Sequence, residues 1–264
     1  MSVELDGNIL VTGTNRGIGL DLVKMLAERT GQRSHIYACC REPEGSRAEA
    51  LKELVTQYPG KITLIKLDVS NEDSVVSAVQ VVSAHVGAAG LNLLINNAAV
   101  NMPERPALMS ATGKQDMMLS YEINVAGPFL ISKMCLPLLQ KAAEIRSSDD
   151  GDNMSCRRSA IINISTLFSS IEKCPETFPM AQMVPYRTSK AALNMLTCCQ
   201  AEDFKTHNIL VAGLHPGWVR TDMGGEIAPL STEESVRGML NVMSSLSNKD
   251  SGFLLDWEGN RIPW

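Results

Sequence analysis

The chain has 264 residues, 44% of them hydrophobic and 20% charged, so it can bury a sizeable core and is not composed like a disordered segment. Its 24 basic and 29 acidic residues give a net charge of -5, which argues against nucleic acid or an anionic membrane as a bulk-charge partner. Seven cysteines and four histidines, with no Cys-x-x-Cys, suit neither a zinc site nor a disulfide framework, so no metal is expected and reduced thiols point to a cytoplasmic protein.

The first apolar run, Ile9 to Val11, ends in a glycine-rich turn and reads as a buried parallel strand. Leu22, Val23, Leu26 and Ala27 follow helical spacing within a helix from Leu20 to Glu28. A second strand, His35 to Cys39, precedes a polar helix from about Ser46 to Gln57. Ile62 to Leu67 is the third strand and Glu72 to His85 the third helix. Leu91 to Ile95, Ser159 to Ile164 and Ile209 to Gly213 supply three further strands, with helices near 115–143 and 186–205. This alternation predicts an α/β fold: a single Rossmann-like domain over residues 1–264, with a doubly wound parallel sheet and helices on both faces. The acidic stretch from Ser147 to Ser155 reads as an exposed loop near 146–158, because the strand pattern resumes directly after it. Met1 to Asn8 has no basic start followed by an apolar stretch, so no signal peptide is expected. No apolar run approaches the roughly 20 residues that a bilayer span needs, so no membrane partner is expected.

Residues 12–19 read Thr-Gly-Thr-Asn-Arg-Gly-Ile-Gly and fall at the first strand-to-helix turn. Glycines there let the backbone turn tightly and approach a pyrophosphate, while the helix N-terminus offers amide donors. Tyr186 and Lys190 stand about one helical turn apart, so on a helix they share a face. A lysine ammonium beside a phenol lowers the tyrosine pKa from about 10, giving a proton donor usable near neutral pH. Alone, the first pattern is also an ordinary tight turn and the second a solvated helix face.

They do not stand alone. The spacing Gly13-x-x-x-Gly17-x-Gly19, Asp68-Val69 after the third strand and Asn96-Asn97-Ala98 after the fourth are joined by Asn124 in Ile-Asn-Val-Ala-Gly, Tyr186-x-x-x-Lys190, and Pro216-Gly217 after the sixth strand. Together they resemble the short-chain dehydrogenase/reductase family, from about residue 8 to the C-terminus. Tyr186 to Asn194, Leu214 to Gly225 and Gly259 to Trp264 look closer still to its sniffer-type carbonyl reductases.

The resemblance implies a nicotinamide-dependent oxidoreductase. Gly13, Asn15, Arg16, Gly17, Ile18 and Gly19 would hold the cofactor phosphates and adenosine ribose, and Asp68 and Val69 the adenine. Asn96, Asn97, Ala98 and Ala99 would pass beneath the ribose, and Pro216, Gly217, Val219 and Thr221 would line the nicotinamide. Tyr186 would protonate the substrate oxygen. Lys190 would lower the Tyr186 pKa and bind the nicotinamide ribose, and Asn124 would help hold a water linking Lys190 to solvent. Trp218 and Met223 are the expected apolar substrate contacts, in a site built from loops near 100–112, 167–185 and 222–232. His215 reads as a satisfied loop histidine.

Three departures from the family pattern follow. Where the family commonly has Asn-x-Ser-Ser, with the second serine polarising the carbonyl, this chain has Asn163-Ile164-Ser165-Thr166. The role therefore falls on Thr166, with Ser165 as the alternative if the strand end shifts by one residue. Ala99 replaces a usual glycine, which presses a methyl on the ribose or forces φ negative. The separation from Thr166 to Tyr186 is long, and the extra residues around Glu172 to Pro179 would reshape the mouth of the site.

At the end of the second strand, Cys40 and Arg41 stand where an acidic residue would hydrogen-bond an NAD ribose. With no carboxylate there, and Arg16 and Arg41 able to pair with a 2′-phosphate, NADP(H) is expected; in the other reading Arg41 is a solvated loop residue and Glu42 contacts NAD. The expected activity is NADPH-dependent reduction of a small carbonyl compound, a ketone, aldehyde or quinone. The alternative is an NADPH-binding sensor or scaffold with little catalysis. A homodimer would form through the helices near 115–140 and 186–205.

Overall fold

The strands are near-continuous apolar runs because helices cover both faces of the sheet they build. The computed structural model describes residues 5–103, 108–145 and 153–264. Among these, β1 (Asn8–Thr12), β2 (His35–Cys40), β3 (Ile62–Lys66), β4 (Leu93–Asn96), β5 (Ala160–Ile164), β6 (Leu210–His215), β7 (Leu254–Asp256) and β8 (Arg261–Ile262) form one sheet. Its order is β3-β2-β1-β4-β5-β6-β7-β8, parallel up to β7, with β8 pairing antiparallel to β7 at the edge. The period of two along each strand sorts the core. Ile9, Val11, Ile36 and Ile162 face one side, with α1 (Gly17–Arg29) and α2 (Glu49–Gln57). Leu10, Tyr37, Leu94 and Ile161 face the other, with α3 (Glu72–Val86).

The expected helix near 115–143 is two helices. α4 (Lys114–Tyr121) runs through a π turn at Glu122–Ala126 into α5 (Gly127–Ile145). A Cβ on Gly127 would lie 2.9 Å from the Val69 carbonyl oxygen, so the glycine lets α5 approach the end of β3. Lys114–Ile145 is long and apolar enough, by length and composition, to cross a membrane, a test that the buried core helix of a soluble protein also passes. Half of its most apolar stretch is buried inside the fold, and α5 packs on α3. The polar helix expected from Ser46 opens as a 3-10 turn, Ser46–Ala48, and becomes α-helical only at Glu49.

Along the expected loop 167–185 lie a 3-10 turn (Leu167–Ser169) and a short helix, α6 (Cys174–Thr177). α7 (Val184–Phe204) follows. β7, β8 and α8 (Thr232–Ser245) were not expected; α8 opens on a capping box in which Ser231 and Glu234 bond each other's backbone amides. The expected loops near 146–158 and 100–112 fall partly on 146–152 and 104–107, outside the described residues.

After β3 the chain crosses back to place β4 on the far side of β1. The carboxyl ends of β1 and β4 therefore diverge into a crevice, the place where ligands bind in open α/β sheets.

Candidate active site

The glycine-rich turn is built into the floor of that crevice. Thr12 Oγ1 accepts from the Asn97 and Ala98 backbone amides, each at 3.0 Å, and Asn97 Nδ2 donates to the Thr12 and Gly13 carbonyls at 2.9 and 3.1 Å. Gly13 has φ +69° and packs on Ala98, and a Cβ on Gly19 would sit 2.1 Å from the Gly13 carbonyl oxygen. Only glycine fits both constraints. Asn15 is partly exposed and Ile18 packs against the core. Arg16 caps α1 without a side-chain hydrogen bond, and the first turn of α1 holds no acidic residue. The N-terminal amides of α1 thus lack the side-chain acceptor that Asn71 and Ser231 give α3 and α8. The Arg16 side chain is exposed and ion-paired to Asp222, and Gly17 faces Thr221, so the loop after β6 lies against the glycine-rich turn.

At the end of β2, Cys40 is buried and its thiol is pushed up by burial, while Arg41 and Glu42 are exposed. Asp68 Oδ1 accepts from the Ser70 amide at 3.0 Å and the Ser70 hydroxyl at 2.7 Å, and Val69 is buried. Among described non-glycine residues only Met183 and Asn208 have positive φ, so Ala99 sits in ordinary backbone.

Thr166 and Ser165 part company at the end of β5. Ser165 Oγ donates to Asn194 Oδ1 at 2.6 Å, deep against α7. Thr166 Oγ1 accepts from the Phe168 amide at 3.2 Å, and the Thr166 hydroxyl lies close enough to Tyr186 to favour its phenolate. Lys190 lies on the same face of α7 one turn on, its Nζ 5.8 Å from the Tyr186 ring centre and donating to the Ile164 carbonyl at 2.7 Å. The structure thus brings Thr166, Tyr186 and Lys190 together and turns the Ser165 hydroxyl to Asn194 on α7.

Electrostatics correct one expectation. Burial pushes the Tyr186 phenol up to about 12 instead of down, and the Thr166 hydroxyl pulls it only partly back. Burial also pushes the Lys190 ammonium down to about 7. Asn124, in the π turn, accepts from the Val100 amide at 2.8 Å and donates to the Val100 carbonyl at 2.9 Å and Ser189 Oγ at 3.0 Å. Its amide joins the exit of β4 to α7.

Beyond β6, the Pro216 carbonyl accepts from Ser235 Oγ at 2.6 Å. Gly217 has φ +83°, and a Cβ there would meet Leu230 at 2.4 Å. Val219 is buried and bridges to Leu230. Trp218 and Met223 are exposed, the Trp218 indole donating to the Gly224 carbonyl at 2.7 Å. His215 is not a satisfied loop histidine: it ends β6, burial pushes it down to about 4, and its buried Nδ1 has no partner. Thr12, Ser189, Asn194 and Arg187 are site-shaping residues that sequence reasoning missed. The signal available for them was only a polar residue within a strand or helix.

Residues 7–230 match the family model described as short chain dehydrogenase. The NADPH-bound carbonyl reductase from chicken fatty liver is 40% identical, with a TM-score of 0.92 over 100% of this chain and 96% of that one. Carbonyl reductase Sniffer of D. melanogaster is 33% identical, with a TM-score of 0.90 over 98% of this chain and 100% of that one. Short-chain dehydrogenase anuI of Penicillium roqueforti is 30% identical over 260 residues, 96% of this chain and 95% of that protein. On sequence, fold and the order of its motifs, the chain belongs to the short-chain dehydrogenase family.

Proposed function

We propose that the protein is an NADPH-dependent carbonyl reductase acting on a small ketone, aldehyde or quinone, with Tyr186 as proton donor. The observation that carries the reading is the gathering of Thr166, Tyr186 and Lys190 at the end of β5, with Lys190 Nζ 5.8 Å from the Tyr186 ring centre and bonded to the Ile164 carbonyl. The cofactor fits the residues present. The N-terminus of α1 has no side-chain cap and no acidic residue to repel a pyrophosphate. No carboxylate ends β2, and the exposed Arg41 follows directly, which suits a 2′-phosphate. The chicken enzyme, 40% identical, was solved with NADPH bound, which supports the same choice here.

When bound, NADPH supplies the hydride. The chain's own part is to hold and protonate the oxygen that receives negative charge. Thr166 Oγ1 and Tyr186 Oη are two hydroxyl donors able to converge on one oxygen. Tyr186 passes its proton to that oxygen as charge develops. A phenol near 12 is fully protonated at neutral pH, which suits a donor. Lys190, its ammonium pushed down to about 7 by burial, stands one turn from the phenol and donates to the Ile164 carbonyl. The exposed Trp218 and Met223 would meet the substrate's apolar body.

The test is fluorescence titration with NADPH and NADH, followed by phenanthrenequinone in the same cuvette. Tight NADPH binding with loss of nicotinamide absorbance, abolished in Tyr186→Phe, is the expected result. Reduction that survives in Tyr186→Phe would end the mechanism. Binding without oxidation across a broad carbonyl panel would favour a sensor, and no binding of either nucleotide would remove the reading altogether.

A further inference from the structure

Arg187 follows Tyr186 in sequence, yet its side chain turns into the fold and is 6% exposed. Its guanidinium gathers oxygens from one segment. Nε and Nη2 donate to the Ala181 carbonyl at 3.0 and 2.6 Å, and Nη2 also donates to the Thr177 carbonyl at 2.7 Å. Nη1 donates to Thr177 Oγ1 at 2.9 Å and to the Phe168 carbonyl at 3.4 Å. The guanidinium carbon lies 4.3 Å from the Phe168 ring centre and 5.6 Å from that of Phe178.

This is the segment that lengthens the path from Thr166 to Tyr186. It has little apolar anchoring of its own, with Ile171 at 76% and Met180 at 67% exposure. It ends at Met183, whose φ of +39° is a strained conformation for a bulky side chain; the Arg187 amide donates to the Met183 carbonyl at 2.9 Å. A buried guanidinium is costly unless its donors are met, so the contacts form as a set or not at all.

We propose that Arg187 is a positioning residue: it fixes residues 168–181 as one wall of the substrate mouth and so sets carbonyl affinity, without touching the substrate. The proposal rests on the reductase reading above. Lysine keeps the charge but offers a single ammonium where the planar fork serves acceptors on several sides. In Arg187→Lys, KM for phenanthrenequinone rises about tenfold, kcat stays within about twofold, and the NADPH Kd is unchanged. Limited proteolysis within residues 171–183 becomes faster. Thr177→Val keeps the guanidinium and removes one acceptor; it raises KM by a few-fold in the same direction, and it carries the test if Arg187→Lys fails to fold.

A variant that melts earlier with KM and cleavage unchanged would overturn the proposal, because that is a merely structural residue. Parallel loss of kcat, KM and NADPH affinity would overturn it as well. A wild-type protein that oxidises no NADPH with any carbonyl is the failure of the reductase reading instead. Cleavage rates then still decide whether Arg187 orders the segment, and unchanged rates sink that claim.

Discussion

Replacing Lys190 by methionine should stabilise the protein at low pH and abolish its chemistry. The lysine is 2% exposed, and burial brings its pKa from 10.5 to about 7. At ~1.36 kcal/mol per pH unit, that fall means folding disfavours the charged form by about 5 kcal/mol. The sign is fixed by proton counting. Below about 7 both the folded and the unfolded chain hold the proton, so the full cost is present. Between about 7 and 10.5 only the unfolded chain holds it, so wild-type stability rises with pH, and above that window the cost is gone. Methionine matches the length without the charge, but it leaves the Ile164 carbonyl without its donor at 2.7 Å. That orphan costs about 1–3 kcal/mol at every pH. Lys190→Met should therefore be the more stable protein by a few kcal/mol near pH 6 and the less stable one above about pH 10. Urea unfolding of both proteins across that range measures the difference directly. A difference that stays flat with pH would refute the claim that Lys190 is a charge held against its burial cost. A crossover with loss of activity would show a residue retained for function at the expense of stability.

Thr166→Val should lower kcat by about 10²–10³-fold while Thr166→Ser stays within a few-fold, because only the first removes the hydroxyl donor beside Tyr186. Ser165→Ala should leave kcat intact and lose about 1 kcal/mol in urea unfolding, the worth of its bond to Asn194. Gly19→Ala drives a Cβ to 2.1 Å from the Gly13 carbonyl oxygen, so NADPH titration should show binding lost while circular dichroism shows the fold kept. Arg41→Ala should weaken NADPH about tenfold and leave NADH unchanged in the same titration, as loss of one charge-assisted contact to a 2′-phosphate requires.

The features legible in the sequence are those written in consecutive residues. β1, β4, β5 and β6 appear as apolar runs because both faces of those strands are covered. The glycine turn and the Tyr186–Lys190 pair are likewise local. β7 and β8, at three and two residues, carry too little pattern to detect. α8 did carry one signal, the Ser-x-x-Glu of Ser231 and Glu234, which marks a helix start. What stayed hidden depends on tertiary register. Nothing near Thr12 says that its hydroxyl will meet the Asn97 and Ala98 amides, and nothing near Arg187 says that residues 168–181 will wrap it. The upward direction of the Tyr186 shift is hidden for the same reason: spacing along a helix shows the lysine, while the depth of burial is set by everything packed around the phenol.

The polar face of α7 explains both why its apolar pattern is weak and how the site holds its geometry. Its buried positions include Ser189, Lys190, Asn194, Thr197 and Gln200, where an ordinary helix would show a hydrophobic stripe. These side chains meet polar partners at the ends of β4 and β5. Asn96, opposite Asn163 in the sheet, donates to its Oδ1 at 2.8 Å; Asn163 Nδ2 donates to Thr197 at 2.9 Å and Gln200 at 3.1 Å. Ser165 bonds Asn194, which in turn donates to Ser169 at 2.7 Å. Apolar packing alone tolerates small rotations and slides of a helix, whereas directional hydrogen bonds do not. A slip of one residue turns a helix by about 100°. That would carry Tyr186 away from Thr166 and break every bond in the layer. The buried amides and hydroxyls therefore fix the rotation of α7 about its axis, and that rotation is what presents Tyr186 and Lys190 to the end of β5.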